Sequence, residues 1–112
     1  MSTRTTIGAT IERQLAALGT LQPDEIAARL GADGLRGKRG SPVWCPLGIA
    51  LERAAMAEGL GRVEVWVDPP EVSVTVTVGD HHQHIVIPLP GMVVVFIAAF
   101  DAGRYPALVA SS

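Results

Sequence analysis

The chain has 112 residues, of which 48% are hydrophobic and 4% aromatic, and its formal net charge is -2. This length fits one domain with one core, and the scarcity of aromatic residues indicates that Val, Leu, Ile and Ala build that core. The negative net charge argues against coating of nucleic acid by bulk electrostatics, although a local basic patch stays open.

Cysteine usage and hydropathy favour a cytoplasmic protein. The single cysteine, Cys45, excludes an intramolecular disulfide, and residues 1–20 lack the pattern of a signal peptide. The longest apolar stretch, residues 85–100, is interrupted by Pro88 and Pro90 and falls short of the roughly 20 residues of a membrane-spanning helix. We therefore expect a reducing cytoplasm and no membrane span.

Helical spacing predicts two helices in the first third of the chain. Residues 1–6 are polar and are expected to be disordered. Four apolar residues on one face define the first helix, which Gly19 ends: Ile7, Ile11, Leu15 and Leu18. Pro23 suits the first turn of a second helix that ends near Leu30.

A glycine-rich loop, residues 31–42, precedes a third predicted helix. The loop carries the one basic cluster of the chain, formed by Arg36, Lys38 and Arg39. Pro46 fits the first turn of the helix, so that Cys45 is its N-cap. The residues expected to face inward are Leu47, Leu51, Ala54 and Ala55. Either Gly59 or Gly61 is expected to end the helix.

The middle of the chain alternates apolar and polar residues, which predicts a three-stranded antiparallel meander over residues 62–87. Gly79 and Asp80 suit a two-residue hairpin loop. That loop fixes four expected pairs: Val78 with His81, Thr77 with His82, Thr75 with His84, and Val74 with Ile85. The outer face then carries Arg62, Glu64, Trp66, Ser73, Thr75, Thr77, His82 and His84.

The last predicted helix covers residues 92–100 and ends at residues 101–103. Val93, Phe96, Ile97 and Phe100 share one face, but the rest of the segment is also apolar. We therefore expect burial on two sides, with a homodimer seam through residues 92–100 as the second cover. The predicted fold is α+β, with three N-terminal helices, the meander, and a C-terminal apolar helix; helices one, three and four cover the valine face of the sheet.

Three segments resemble small uncharacterised proteins of actinobacteria and their phages. They are the Arg-Gly-basic loop at residues 34–40, the Cys-Pro helix start at residues 44–47, and the Phe-Asp-x-Gly-x-Tyr-Pro tail beginning at Phe100. The resemblance covers about half of the chain. It implies an origin and no activity.

The basic cluster has two interpretations. It could bind an anion such as phosphate, because glycines let the backbone approach and the following helix N-terminus offers free N–H groups. Alternatively, it is a solvated loop without a ligand. The segment departs from a P-loop, since Ala32 stands where the first glycine belongs and Arg39 replaces the Ser or Thr. A nucleotide-hydrolase function is therefore excluded.

Residues 22–30 resemble the first helix of a helix-turn-helix domain, with the hairpins as a wing. The resemblance implies a DNA-binding regulator that uses basic side chains on phosphates: Arg36, Lys38, Arg39, Arg53 and Arg62. Against it, the segment between the two helices is much longer than the 3 to 4 residues of that turn. Ordinary helical packing is the alternative.

Cys45, the histidines and Trp66 each have a functional and a structural interpretation. Cys45 at a helix start near basic residues is a candidate reactive thiol, or else a buried N-cap. His82 and His84, with Glu64, form a weak candidate metal site, or else titrate at the surface.

Trp66 is either covered by the tail through Tyr105 and Leu108 or, with His82 and His84, anchors a partner.

The sequence lacks a catalytic constellation and implies no cofactor. We expect a small accessory or regulatory protein without catalytic activity, which binds another protein and itself as a homodimer. A winged-helix-like DNA-binding regulator is the alternative, and a Cys45-dependent enzyme is the third.

Overall fold

The structure, a computed structural model, describes residues 3–110, with side chains from residue 5 onward. Its elements follow the predicted order of three helices, three strands and a helix, and the α+β class is confirmed. They are α1 (Thr3–Gly19), α2 (Pro23–Ala32), α3 (Pro46–Met56), β1 (Arg62–Asp68), β2 (Glu71–Val78), β3 (His81–Pro88) and α4 (Gly91–Asp101), with a short 3-10 turn at Pro106–Leu108.

Helix α1 begins before the predicted point. Residues 3–6, expected to be disordered, form its first turn, and residues 1 and 2 lie outside the described part of the chain. The first buried residue of the helix is Ile7, and the N–H groups of residues 7–10 bond to the carbonyls of the turn before them. The turn at residues 3–6 therefore provides the hydrogen-bond acceptors for the first residues of the buried face.

The sheet has the order β1-β2-β3 and is antiparallel throughout. All four strand pairs expected from the Gly79-Asp80 loop are present, including Thr77 with His82 and Thr75 with His84. The alternating side chains then separate into a buried valine face and an outer polar face. Turn chemistry and a period of two were sufficient to define the register.

Two helices cover the valine face: α3 lies against β1 and α1 lies against β3. Helix α4, which was predicted to join them there, packs mainly against α2 and α1. Three strands about 4.8 Å apart offer a width that two helices of about 10 Å diameter already occupy. The fourth helix therefore forms a further layer, held by Ile26 and Leu30 of α2.

Helix α4 adds Gly91 and Asp101 to the predicted apolar segment, so the helix is not apolar throughout. It buries one face, composed of Val93, Phe96, Ile97 and Phe100. It begins at Gly91 and ends at Asp101, and its opposite side is open: Val95 is 48% exposed and Ala98 is exposed. Burial on two sides is therefore not reached within one chain.

The C-terminal tail is docked, but away from Trp66. The Tyr105 ring stacks on Phe96 at 5.4 Å between centroids, and its hydroxyl donates to Asp24 Oδ1 at 2.7 Å. Leu108 is buried and lies beside Gly31 of α2. The expectation that Tyr105 and Leu108 cover Trp66 is wrong, because their apolar partners lie on the helical side of the sheet.

No helix within residues 3–110 is long and apolar enough to cross a membrane.

Candidate functional site

The basic loop between α2 and α3 is fixed to three other parts of the molecule. The Gly37 N–H donates to the Leu108 carbonyl at 2.8 Å, and the Gly37 carbonyl accepts the Ala110 N–H at 2.8 Å. Asp101 Oδ1 of α4 accepts the Gly40 N–H at 2.8 Å, and the Pro42 carbonyl accepts the Val67 N–H of β1 at 2.8 Å. The loop is thus a structured part of the fold.

Gly37 is the closest-packed point of this loop. Its backbone is buried, and a Cβ on it would overlap the Trp44 carbonyl oxygen and lie 2.7 Å from Pro46 Cδ. Contacts under 3.0 Å force a neighbour to move, and here the nearest neighbour is backbone. Glycine is therefore required at this position to fold the loop back beside the start of α3.

The same turn holds Trp44 in place while leaving its side chain open. The Trp44 carbonyl accepts the Lys38 N–H at 2.8 Å, and the Trp44 N–H donates to Ser41 Oγ at 3.1 Å. The side chain is nevertheless 57% exposed. Lys38 Nζ lies 5.8 Å from the indole centroid, a distance within the range of cation–π attraction.

Helix α3 supplies the second wall of the site. Its inward face buries Leu47, Leu51 and Ala55. Ile49, Arg53 and Met56 follow one another at i, i+4 and i+7 on the other side, and Met56 is 45% exposed. The Met56 sulfur also accepts the Val63 N–H at 3.3 Å, which positions this end of the helix against β1.

Between the loop and α3 lies a surface groove of about 560 Å³, called here the Trp44 groove. It joins four apolar residues to two guanidinium groups and one carboxylate. Its lining residues are Arg36, Val43, Trp44, Ile49, Glu52, Arg53 and Met56.

The five basic residues singled out from the sequence are only partly brought together. Arg36 and Arg53 line the Trp44 groove, and Lys38 flanks it at the indole. The Arg39 guanidinium instead lies beside Gly103, where an added Cβ would meet its Nη1 at 2.6 Å. Arg62 stands on the outer face of the sheet, 3.9 Å from Glu64. The predicted patch therefore divides into three locations.

Arg39 has a local physical reason for its separation. Gly103 lies two residues beyond Asp101, the last residue of α4, and adopts φ +92°. The carboxyl end of a helix carries partial negative charge, which attracts a cation. The guanidinium of Arg39 thus lies near the carboxyl end of α4, whereas Arg36 and Arg53 line the groove.

Cys45 is the N-cap of α3, as predicted, and its thiol is buried. Burial raises the pKa of the Cys45 thiol, with a smaller rise from the charge of Asp101, and backbone N–H groups of Gly48 and Leu47 offset part of this rise. A reactive thiolate requires the opposite shift. The thiol lines a cavity of about 230 Å³ that also contains Asp68 and Asp101.

The histidines lie on the far side of the sheet from Cys45. His82 Nδ1 is 3.0 Å from Thr77 Oγ1, and His84 Nδ1 is 3.1 Å from Thr75 Oγ1. The register puts Glu64 in one row with Thr75 and His84. Among residues 3–110, however, no group of three potential metal ligands is close enough to hold an ion. The sheet also separates these two rings from the thiol. His81 pairs with Val78 at one end of β2, whereas Val67, which lines the cavity of Cys45, pairs with Val72 near the other end.

Trp66 is 48% exposed on the outer face, in one row with Ser73 and Val86. The described tail does not reach it, so its predicted role as a partner anchor stays a prediction.

Sequence reasoning missed the four apolar residues of the Trp44 groove. Trp44 was considered only as part of the Cys-Pro helix start at residues 44–47, and no prediction was made for Val43, Ile49 or Met56. Their signal is a second apolar stripe, in which Ile49 and Met56 flank Arg53 on the face of α3 opposite Leu47 and Leu51. A helix with apolar residues on both sides indicates a second contact surface.

Comparison with known proteins adds no relative: no family model, no curated protein and no solved structure matches this chain. The resemblance to small actinobacterial and phage proteins stays a prediction.

Proposed function

We propose that this chain is a small accessory or regulatory binding protein without catalytic activity, and that the Trp44 groove receives a segment of a partner protein. The observation that carries the proposal is the half-exposed indole of Trp44, which is held by backbone hydrogen bonds at the wall of an apolar groove. Tryptophan and arginine in such settings contribute most of the binding energy of many protein interfaces.

The groove favours a partner segment with one apolar side chain and one carboxylate. Val43, Ile49 and Met56 offer an apolar surface, from which an apolar group of the partner would displace water. Arg36 and Arg53 exceed Glu52 by one positive charge, so that an acidic group on the partner is attracted. The guanidinium fork binds a carboxylate in a bidentate manner.

A winged-helix-like DNA-binding regulator is the second candidate, and the shared position of Arg36 and Arg53 beside Lys38 favours it. Three cations support phosphate contacts. Base reading is less well supported, because α3 turns Ile49, Glu52 and Met56 outward with a single Arg53. The 13-residue separation of α2 and α3, residues 33–45, is also far from a helix-turn-helix turn.

We also propose self-association through α4, residues 92–100. The exposed side of α4 carries Val95 and Ala98, with Gly91 one turn before and Ala102 one turn after. These small residues allow two helices to approach closely, and Val95 at 48% exposure provides apolar area for the contact.

Selection from a random-peptide display library on the immobilised protein tests the groove. We expect enriched peptides to pair an aromatic or aliphatic residue with Asp or Glu. A Trp44→Ala variant and an Arg36→Glu, Arg53→Glu double variant should each bind a selected peptide at least roughly tenfold more weakly. Arg62→Glu is the matched control, because it reverses a charge on the outer sheet face.

Two results would count against the proposal. Equal affinity of the selected peptide for wild type and Trp44→Ala would remove the groove as its site. Binding of labelled random duplex DNA that weakens steeply with salt, and that the double variant abolishes, would favour the DNA-binding alternative.

A further inference from the structure

Strand β3 forms one edge of the sheet. The direction of its backbone N–H and C=O groups can be inferred from β1, the opposite edge, through the strand register. In β1 the N–H groups of Val63 and Val67 bond outside the sheet, to Met56 and Pro42. Since successive residues of a strand point their backbone groups in opposite directions, the strand register carries this alternation across β2 to β3. Residues 82, 84, 86 and 88 therefore direct their backbone groups away from the sheet.

An independent contact confirms this orientation. The Leu89 N–H bonds to the Pro70 carbonyl at 2.9 Å, so residues 87 and 89 point toward β2. Val86 then points its N–H and carbonyl outward, while Pro88 offers only a carbonyl. Val86 and the Pro88 carbonyl thus present outward backbone groups to which no described backbone group bonds, and edge groups of this kind pair with a further strand.

Beside this edge runs a trough between β3 and α1. Two adjoining cavities of about 390 and 370 Å³ form it, and they share Glu12 and Ile87. The wall from α1 consists mainly of small or short side chains, including Gly8, Ala9 and Ala16. The floor is apolar, since Leu15, Ile85 and Ile87 are buried there. An extended chain fits such a space, because the helix leaves room for its side chains.

Glu12 gives the trough its charge. Its side chain is exposed and lies where the two cavities meet. Among the described side chains, none forms an ion pair with it. A second copy of β3 would bring its own α1 and a second Glu12 to the same seam, which like charges disfavour. A basic residue on a different chain complements the carboxylate.

We infer that the edge of β3 and the adjacent α1 trough bind an extended segment of a partner protein as a fourth strand, with a Lys or Arg placed opposite Glu12. This is β-augmentation, in which main-chain hydrogen bonds supply affinity and pockets for alternate side chains supply specificity. The residue paired with Val86 faces outward with it. The partner residues immediately before and after that one face the trough. One of them lies over Ile85 and Ile87, and the other points toward Glu12.

The probe is a fluorescein-labelled, end-capped ten-residue peptide of alternating threonine and valine with one central lysine. Two matched peptides carry glutamate in place of lysine, or N-methyl groups on alternate backbone nitrogens. Anisotropy should detect binding of the lysine peptide and affinity at least roughly tenfold weaker for the glutamate peptide. The N-methylated peptide should lose binding, because it lacks the main-chain donors.

Variants of the protein test the same edge from the other side. Val86→Pro removes an outward N–H without breaking the β2–β3 ladder, and should abolish binding of the lysine peptide. Val86→Ala retains the N–H and should bind it as wild type does. Glu12→Lys should reverse the preference toward the glutamate peptide. If Val86→Pro fails to fold by circular dichroism, the N-methylated peptide decides the question alone.

Failure of all three peptides to bind, or equal binding of the lysine and glutamate peptides, would overturn the inference. So would a dimer that Val86→Pro converts to a monomer in light scattering, because a second copy of the chain would then be the occupant of the edge.

Discussion

At the residue scale, Gly37 is the glycine at which an added side chain would meet the closest neighbouring atoms. We predict that Gly37→Ala lowers the free energy of unfolding by about 1–3 kcal/mol, because overpacking against backbone forces the loop to shift. Urea unfolding followed by circular dichroism measures the change. The added methyl would overlap the Trp44 carbonyl and approach Pro46 Cδ at 2.7 Å.

Gly91→Ala is the matched control for this loss. A Cβ at Gly91 meets no atom within 4 Å, so its effect should stay within about 0.5 kcal/mol. Equal stability of the two variants would contradict the claim that the loop is rigidly packed.

Also at the residue scale, Cys45 should react slowly in the native protein. Because burial raises the pKa of the thiol, the thiolate fraction near pH 7.5 is below that of an ordinary cysteine. Alkylation by iodoacetamide should be on the order of a hundredfold slower than in 6 M guanidinium. Fast native alkylation at that pH would instead support a Cys45-dependent enzyme.

The raised pKa has a consequence for stability with a definite sign. The folded state retains the Cys45 proton at pH values where the unfolded state has released it. The contribution to stability is therefore complete below the pKa of an unfolded thiol and is lost as the pH rises toward the folded value. The free energy of unfolding should fall more between pH 8 and pH 10 in wild type than in Cys45→Ala.

At the element scale, the docked tail should depend more on its ring than on its hydroxyl. Tyr105→Phe loses the exposed bond to Asp24 and should cost at most about 0.5 kcal/mol, because water replaces a hydrogen bond at the surface. Tyr105→Leu also loses the stack on Phe96, and a further loss of about 0.5–1.5 kcal/mol is expected from urea unfolding. If both variants were equally stable, the aromatic contact would contribute nothing.

The elements differ in how far the sequence determines them. The meander was predictable in detail because Gly79-Asp80 and the alternating valines are local signals. The start of α1 was predictable only in part, because residues 3–6 are polar and lack the apolar spacing that indicates a helix. The positions of α4 and Tyr105 depend on long-range contacts with α2, which no local sequence pattern encodes. For this reason the prediction that the tail covers Trp66 was wrong.

The same distinction applies to the candidate site. Arg36 and Arg53 were singled out by their charge, but only the fold brings them to one groove. Arg39, adjacent in sequence to Lys38, lies away from the groove, beside Gly103 at the end of α4. The apolar half of the groove was missed because Trp44 and Met56 come together only through the fold.

At the scale of the whole molecule, the proposed homodimer through α4 predicts a mass in light scattering of twice the 11.8 kDa of one chain at high micromolar concentration. Val95→Lys should give a monomer, because it places a charge in the apolar seam. Val86→Lys, a matched change at the 57% exposed Val86 on the sheet, should leave the dimer intact. A monomeric wild type would remove this proposal and leave the groove unaffected.

The central claim, that the Trp44 groove is a protein-binding site, is tested most directly by a heteronuclear NMR titration of the isotope-labelled protein with a library-selected peptide. We predict that the amide shifts concentrate at residues 36–44 and 49–56 and that the indole N–H of Trp44 shifts with them. Shifts confined to the sheet or to α4, with the Trp44 indole unchanged, would contradict the claim.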